Sequence, residues 1–363
     1  MATQPVFENQ QSFDAAKAEA FAGKMLSAFN QGALVLMTSV GHRTGLFDAF
    51  ALCSPTTSTG LAMQAGLSER YVREWLGAMT AAAIVEYDPS SRLYTLPPEH
   101  AAWLTRDAAM GNIAVSAQFL GVAAEVEPQI VERFKTGDGL CYHHYGRFHA
   151  AMAELTDVSI VSALDAHIIP LAPGLEARLQ QGITAADVGC GAGRALLHLA
   201  QRYPNSQFVG LDLCADAFSA TVEKARSEKL TNLRFEEFDF SGVDTLGRFD
   251  LIVAFDAAHD QKDPQAFLTM LRNSLAPSGS LLMVDIGGSR NLENNLDHPL
   301  GVHLYMMSTM HCMPVSLGQG GAGLGTMWGY ETALDMLSKA GFSQVDLHRL
   351  PHDFVNAYYV AKP

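Results

Sequence analysis

Apolar residues recur at roughly helical spacing through Phe21, Met25, Phe29, Leu34, Leu36 and Met37, which predicts two helices over 15–50 with Gly32 and Gly45 as interruptions. Two shorter helices are expected over 58–65 and 68–82, joined at Gly66-Leu67, with Ser68 placed to cap the second and Glu69 and Arg70 in its first turn. Ile84 to Tyr87 and Leu93 to Leu96 read as strands around the turn sequence Asp88-Pro89-Ser90-Ser91, so this region has the order of a winged helix. A further helical stretch runs from Ala108 to His167, which Pro128 and Gly137-Asp138-Gly139 are expected to break, and Pro170 and Pro173 mark a linker. Beyond it strands at 185–188, 208–212, 233–238, 249–255 and 280–286 alternate with helices, notably at 194–203 and 264–275. That order implies an α/β domain with a doubly wound parallel sheet covered on both faces. The expected division is a winged-helix and dimerisation domain over 1–107, a helical linker or lid over 108–173, and an α/β domain over 174–363.

Composition narrows the function. The 363 residues are 48% hydrophobic and 17% charged, which supports well-buried cores and more than one domain. Lys and Arg total 24 against 38 Asp and Glu, a net charge of −14 that would repel a phosphate backbone, and no basic patch offsets it. The five cysteines, Cys53, Cys141, Cys190, Cys214 and Cys312, are scattered without a CxxC pair, so neither a disulfide framework nor a zinc motif is signalled and a reducing cytoplasm fits. The opening MATQPVFENQQSFD has no basic segment followed by an apolar one, and the greasiest stretch, Ala114 to Val126, is too short to span a bilayer. A cytoplasmic chain with no membrane or nucleic-acid partner is expected.

The segment Asp187-Val188-Gly189-Cys190-Gly191-Ala192-Gly193 lies between the first strand and a helix, where glycines permit a tight turn and close approach of a ligand to the helix N-terminus. A dinucleotide fingerprint would need glycine at position 194, which is Arg194, and the Lys-Ser/Thr pair of a phosphate-binding loop is missing. D-x-G-x-G-x-G, with Asp212 closing the second strand, resembles motif I of the class I S-adenosylmethionine (SAM)-dependent methyltransferases. Asp239-Phe240 after strand three, Phe249-Asp250-Leu251-Ile252 at strand four and Leu275-Ala276-Pro277-Ser278-Gly279-Ser280 before strand five match that family in register. The likeness extends to bacterial members with an N-terminal winged helix, through Gly66 to Leu76, Asp285 to Leu304 with its HPLG, His311 to Ser316 and Gly320 to Gly329, and the layout is similar to plant and polyketide O-methyltransferases. The resemblance implies a Rossmann-like seven-stranded domain and SAM as cofactor, held by Asp187, Gly189, Gly191, Gly193, Asp212, Leu213, Asp239, Phe240 and Phe255. Asp212 would meet the ribose hydroxyls and Asp239-Phe240 the adenine.

His259-Asp260 follows the fourth strand, at the carboxyl end of the sheet where open α/β folds bind ligands. Ala258-His259-Asp260-Gln261 resembles the H-D-W stretch of those O-methyltransferases, with Gln261 in place of tryptophan, and the resemblance implies that His259 is the general base. An imidazole of ordinary pKa, about 6.5, could take a hydroxyl proton near neutrality. Its orienting acid is either Asp260 or a residue that the sequence does not place. The thirteen histidines include His143-His144, His149, His298 and His303, but no metal-ligand spacing, and no metal is expected. The run from Tyr142 to Phe148 reads as a lid, and 287–329, too long for an ordinary connection, reads as the acceptor-binding segment. Substrate-facing candidates are Tyr142, His143, Tyr145, His303, Met307 and His311. The expected activity is methylation of a small molecule, on oxygen first and on the sulfur of a small thiol as the alternative. A winged-helix DNA-binding regulator is the reading from a different class, and it fares worse because Glu69 and Glu74 balance Arg70 and Arg73 on the would-be recognition helix. The resemblance implies instead a homodimer in which the N-terminal domain closes over the neighbouring active site.

Overall fold

Asp14 starts the first helix by accepting the backbone N–H groups of Ala16 and Lys17 at 3.0 and 3.1 Å. The chain is described here in a computed structural model over residues 13–108, 110–351 and 353–363, so most of the opening segment read for a leader lies outside the described residues. Helix α1 (Ala15–Thr44) passes through Gly32 without interruption, and the break falls at Gly45, whose φ of +72° ends α1 and begins α2 (Leu46–Cys53). Helices α3 (Ser58–Ala65) and α4 (Glu69–Ala81) and the hairpin of β1 (Glu86–Asp88) and β2 (Leu93–Thr95) form the expected winged helix, followed by α5 (Pro98–Leu104). Its core is Phe47, Phe50, Leu61, Val72, Trp75, Leu76 and Met79, and Trp75 Nε1 donates to the Met37 carbonyl at 2.9 Å.

The chain divides into two compact units after Gln118, so most of the 108–173 stretch belongs with the sheet. Pro128 does not break it: α6 (Gln118–Thr136) runs through that residue. After α7 (Phe148–Ser159) the chain continues in short helical turns to Leu171, and Ile160, Leu164, Ile168, Ile169 and Ala172 are buried in one core with Leu175 and Leu179 of α8 (Leu175–Gln181) and Leu251 and Val253 of the sheet.

Seven strands then form one sheet. They are β3 (Thr184–Val188), β4 (Gln207–Asp212), β5 (Leu233–Glu237), β6 (Phe249–Phe255), β7 (Leu275–Ile286), β8 (Gln344–Leu350) and β9 (Asp353–Lys362), in the order β5-β4-β3-β6-β7-β9-β8. The first five are parallel, and β9 runs antiparallel to β7 and β8. Near-continuous apolar runs in β3, β6 and β7 are what burial on both faces requires. The pairing of β6 with β7 jumps from Phe249–Leu275 to Leu251–Ser280, so Ala276 to Gly279 bulges out where the sequence suggested a turn. Helices α9 (Arg194–Arg202), α10 (Ala215–Ser227) and α11 (Pro264–Asn273) are the crossovers.

The segment 287–329 departs from expectation. It is largely helical rather than a loop, comprising a 3-10 turn (Leu292–Asn295), α12 (Gly301–Met307), a π-helical turn (Ser308–Cys312) and α13 (Met313–Gly318). Helix α14 (Tyr330–Lys339) leads into β8. Among the described residues no single helix is long and apolar enough to cross a membrane.

Candidate active site

β3 and β4 and β3 and β6 are neighbours, so the strand order reverses direction at β3, and the carboxyl ends of these strands flank the crevice where such sheets bind ligands. The backbone leaves β3 through Gly189, Gly191 and Gly193, all at positive φ. A side chain at Gly193 would collide with the Phe235 ring at 2.2 Å and one at Gly189 with Ala257 at 2.6 Å, whereas Gly191 faces open space. Asp212, at the end of β4, accepts the Gly191 N–H at 2.8 Å and the Cys214 N–H at 2.9 Å, which ties the glycine loop to the neighbouring strand. Asp187 lies buried beneath the loop with its Oδ1 unpartnered, and burial followed by the charge of Asp212 pushes its carboxyl up to about 8. Leu213 and Asp239 are exposed at the same edge, and Asp239 accepts the Ser241 N–H at 2.9 Å. Phe240 and Phe255 instead pack against the core, Phe240 edge-on to Phe267.

His259, just past β6, is buried between two acids. Its Nδ1 lies 2.8 Å from Oδ1 of Asp285, at the end of β7, and its Nε2 lies 3.3 Å from Oδ1 of Asp260. Asp285 is fully buried and its Oδ1 also accepts the Trp328 indole N–H at 2.9 Å and the Ile286 N–H at 2.8 Å, so the ring orientation of His259 is fixed from behind. Burial alone would lower the imidazole pKa, but Asp285 and Asp260 outweigh it and raise it well above the ordinary value. The orienting acid left open in the sequence is therefore Asp285, with Asp260 on the opposite nitrogen. Neither Asp285 nor Trp328 stood out beforehand, because β7 and the turn before α14 meet His259 only through the sheet.

The expected lid meets the 287–329 segment. His311 is buried in a box of rings, stacked on Phe148 at 3.5 Å between centroids and edge-on to Tyr145 at 4.7 Å and Tyr142 at 5.8 Å. Tyr145 Oη donates to the Met310 carbonyl at 2.7 Å, and the Leu140 N–H to that of Pro314 at 2.8 Å. Burial, then the nearby charges of Asp260, Cys312 and Asp212, raises the Tyr142 phenol, and its ring also stacks on His149 at 5.7 Å. Met307 packs against the same aromatic cluster. His143 does not join it, being exposed with its ring tilted against that of His144 at 4.2 Å between centroids, and His303 is half-buried, its imidazole pKa lowered by burial.

Residues 32–106 match a family of Rv2258c-like winged helix-turn-helix domains, and residues 179–314 match a methyltransferase domain. The chain thus carries a winged helix-turn-helix domain followed by a methyltransferase domain. Trans-aconitate 2-methyltransferase of Deinococcus radiodurans is 31% identical over 159 residues, 44% of this chain and 54% of that protein. The chain thus spans only about half the length of this curated relative. An O-methyltransferase family protein from Burkholderia thailandensis superposes with a TM-score of 0.64 at 15% identity, covering 94% of this chain and 97% of that one. Human N-acetylserotonin methyltransferase, solved with SAM, gives 0.65 at 17% identity and covers 99% of both chains. At these identities the two structures establish the shared fold.

SAM is the cofactor that the methyltransferase domain implies, and the residues present suit it. Asp212 spends one hydrogen bond per oxygen on backbone amides and keeps acceptor capacity for a ribose diol, the open side of Gly191 admits a ligand against the backbone, and Asp187 Oδ1 is a buried polar atom still without a partner.

Proposed function

We propose that this methyltransferase methylates a hydroxyl group of a small molecule, with His259 as general base. The observation that carries the reading is the buried His259–Asp285 pair, in which Nδ1 is held by the carboxylate so that Nε2 is the atom left for an acceptor. Bound SAM supplies an electrophilic methyl group on its sulfonium. His259 Nε2 takes the acceptor proton as the oxygen becomes methylated, and Asp285 stabilises the imidazolium that forms. Asp260 must yield its place at Nε2 when the acceptor docks. Tyr142, Tyr145 and His311, with Met307, line the acceptor's approach and exclude water from it. The O-methyltransferase fold relatives support oxygen as the site of transfer. The cofactor contacts are proposed to be Asp187, the glycine loop and Asp212, with Leu213 and Asp239 toward the adenine.

The winged helix serves assembly in this reading. On α4, Arg73 is bonded to Glu69 at 2.6 Å and Arg70 is paired with Glu74, so both arginines that would seek phosphate are already neutralised. A homodimer in the cytoplasm is the setting we infer, the latter from five cysteines without a disulfide.

Labelled SAM offered with phenols, carboxylic acids, amines and small thiols tests the reaction. Transfer to a hydroxyl that falls about 10²-fold or more in H259A, with SAM binding retained, is expected. Transfer only to thiols, undiminished in H259A at every pH, would overturn the base and favour S-methylation.

A further inference from the structure

Cys312 has no part in that chemistry, yet its Sγ, a ring nitrogen of His259 and a carboxylate oxygen of Asp260 lie within 4.8 Å of one another, and with Nδ1 held by Asp285 it is Nε2 that faces Asp260. We propose that these three side chains form a binding site for a zinc-class divalent cation, placed on the nitrogen that the base uses. A nitrogen, a thiolate and a carboxylate oxygen are the donor set that zinc accepts, and three protein ligands leave its fourth position open.

The distances favour a cation over a simple ion pair. His259 Nε2 and Asp260 Oδ1 are 3.3 Å apart, longer than a charge-assisted hydrogen bond, and Asp260 Oδ1 is buried without a hydrogen-bond partner. Two ligand atoms about 2.0–2.1 Å from a tetrahedral zinc are themselves about 3.3 Å apart. The supports behind the ligands are also in place. His259 gives its other ring nitrogen to Asp285 at 2.8 Å, the carboxylate–histidine arrangement that orients metal ligands, and the Cys312 sulfur accepts the Thr326 hydroxyl at 3.3 Å. Two carboxylates, Asp260 and Asp285, converge on one histidine in a buried setting, an excess of negative charge that a divalent cation would balance. None of this is legible in spacing, since the ligands come from the turn after β6 and from a π-helical turn fifty residues later.

The proposal rests on the base reading in one respect: a cation on Nε2 occupies the lone pair that would accept the acceptor's proton, so metal and acceptor exclude each other. Co2+ titrated into the metal-stripped full-length protein, without acceptor, tests the site itself. One equivalent should bind with a thiolate-to-cobalt charge-transfer band and intense four-coordinate visible bands, and Zn2+ should displace it. C312S should lose the charge-transfer band and T326V should bind Zn2+ about 10-fold more weakly, both with unchanged circular dichroism and SAM affinity. Cobalt bound without the thiolate band, or C312S binding Zn2+ as tightly as the unaltered chain, overturns the site. Turnover then separates the two readings: Zn2+ that competes with the hydroxyl acceptor supports both, whereas Zn2+ that binds through Cys312 and accelerates transfer keeps the site and removes His259 as base.

Discussion

Asp285 and Asp212 do different work with the same chemical group. Asp285 gives one oxygen to three donors, His259 Nδ1, Trp328 Nε1 and the Ile286 N–H, and in doing so raises the proton affinity of the imidazole. A base with a raised pKa is unprotonated only at higher pH, so activity should climb through neutrality and level off on the alkaline side. D285N removes the charge and should move that limb toward acid while lowering kcat, a shift that initial rates across pH will detect and that a purely structural role would not produce. Asp212 spends its oxygens on two backbone amides and, in the proposed site, on the ribose of the cofactor. D212A loses charge-assisted hydrogen bonds worth roughly 1.5–3 kcal/mol each, so calorimetry should find SAM bound at least about 10-fold more weakly. Asp212 and His259 could be picked out from sequence because each sits in a contiguous motif at a strand end. Asp285, Trp328 and Cys312 could not, since what defines their roles is a neighbour across the sheet and not a neighbour in the chain.

Long periodic segments were legible at the scale of elements: the winged helix, the glycine loop and five parallel strands fall where apolar spacing put them. The failures have local causes. Gly32 does not interrupt α1 because it sits at ordinary helical φ, while Gly45 takes the left-handed conformation that ends it. The segment 287–329 read as a loop because α12 and α13 are 7 and 6 residues long, too short to show a helical period, and a π-helical turn joins them. β8 and β9 went unread, lying close together past the last helix without an alternating crossover to announce them. The ends of β3 and β6 also carry an energetic consequence. Burial and the charge of Asp212 push the Asp187 carboxyl to about 8, and burial with Asp285 pushes Asp256 to about 7. Both folded-state values lie above the unfolded value of about 3.9, so the folded chain holds more protons and its stability falls as pH rises from about 4 to 8. The melting temperature of the cofactor-free protein should drop across that interval, and D256N should make the decline shallower between about pH 4 and 7 while leaving the last part, which belongs to Asp187, unchanged. Asparagine also tolerates the left-handed backbone at that position, where φ is +52°.

For the molecule as a whole, α1 poses the largest physical problem. Phe21, Met25, Phe29, Leu36 and Val40 recur every three to four residues along one stripe, with Gly32 completing the row, and all five side chains are exposed, Phe21 and Phe29 by 63% and 66%. Near its C-terminal end the helix is held against the winged-helix core, through Leu34, Met37, Ser39 and His42, and a cooperative helix of 30 residues is not sustained by propensity alone. A row of large apolar groups in water is unfavourable, whereas a second copy offers the same stripe in return, and Gly32, with nothing within 4 Å of where a Cβ would stand, lets two such helices approach closely. The net charge of −14 argues against a nucleic acid as the alternative occupant. Light scattering should therefore give twice the chain mass of 39.1 kDa at low and high salt, since the contact is apolar and not ionic. Replacing Phe21 and Phe29 together by glutamate should yield a monomer or an aggregate with the SAM affinity of the sheet domain retained, because both residues belong to the other compact unit. A native chain that scatters as a monomer at micromolar concentration would leave the stripe without a partner and refute the assembly.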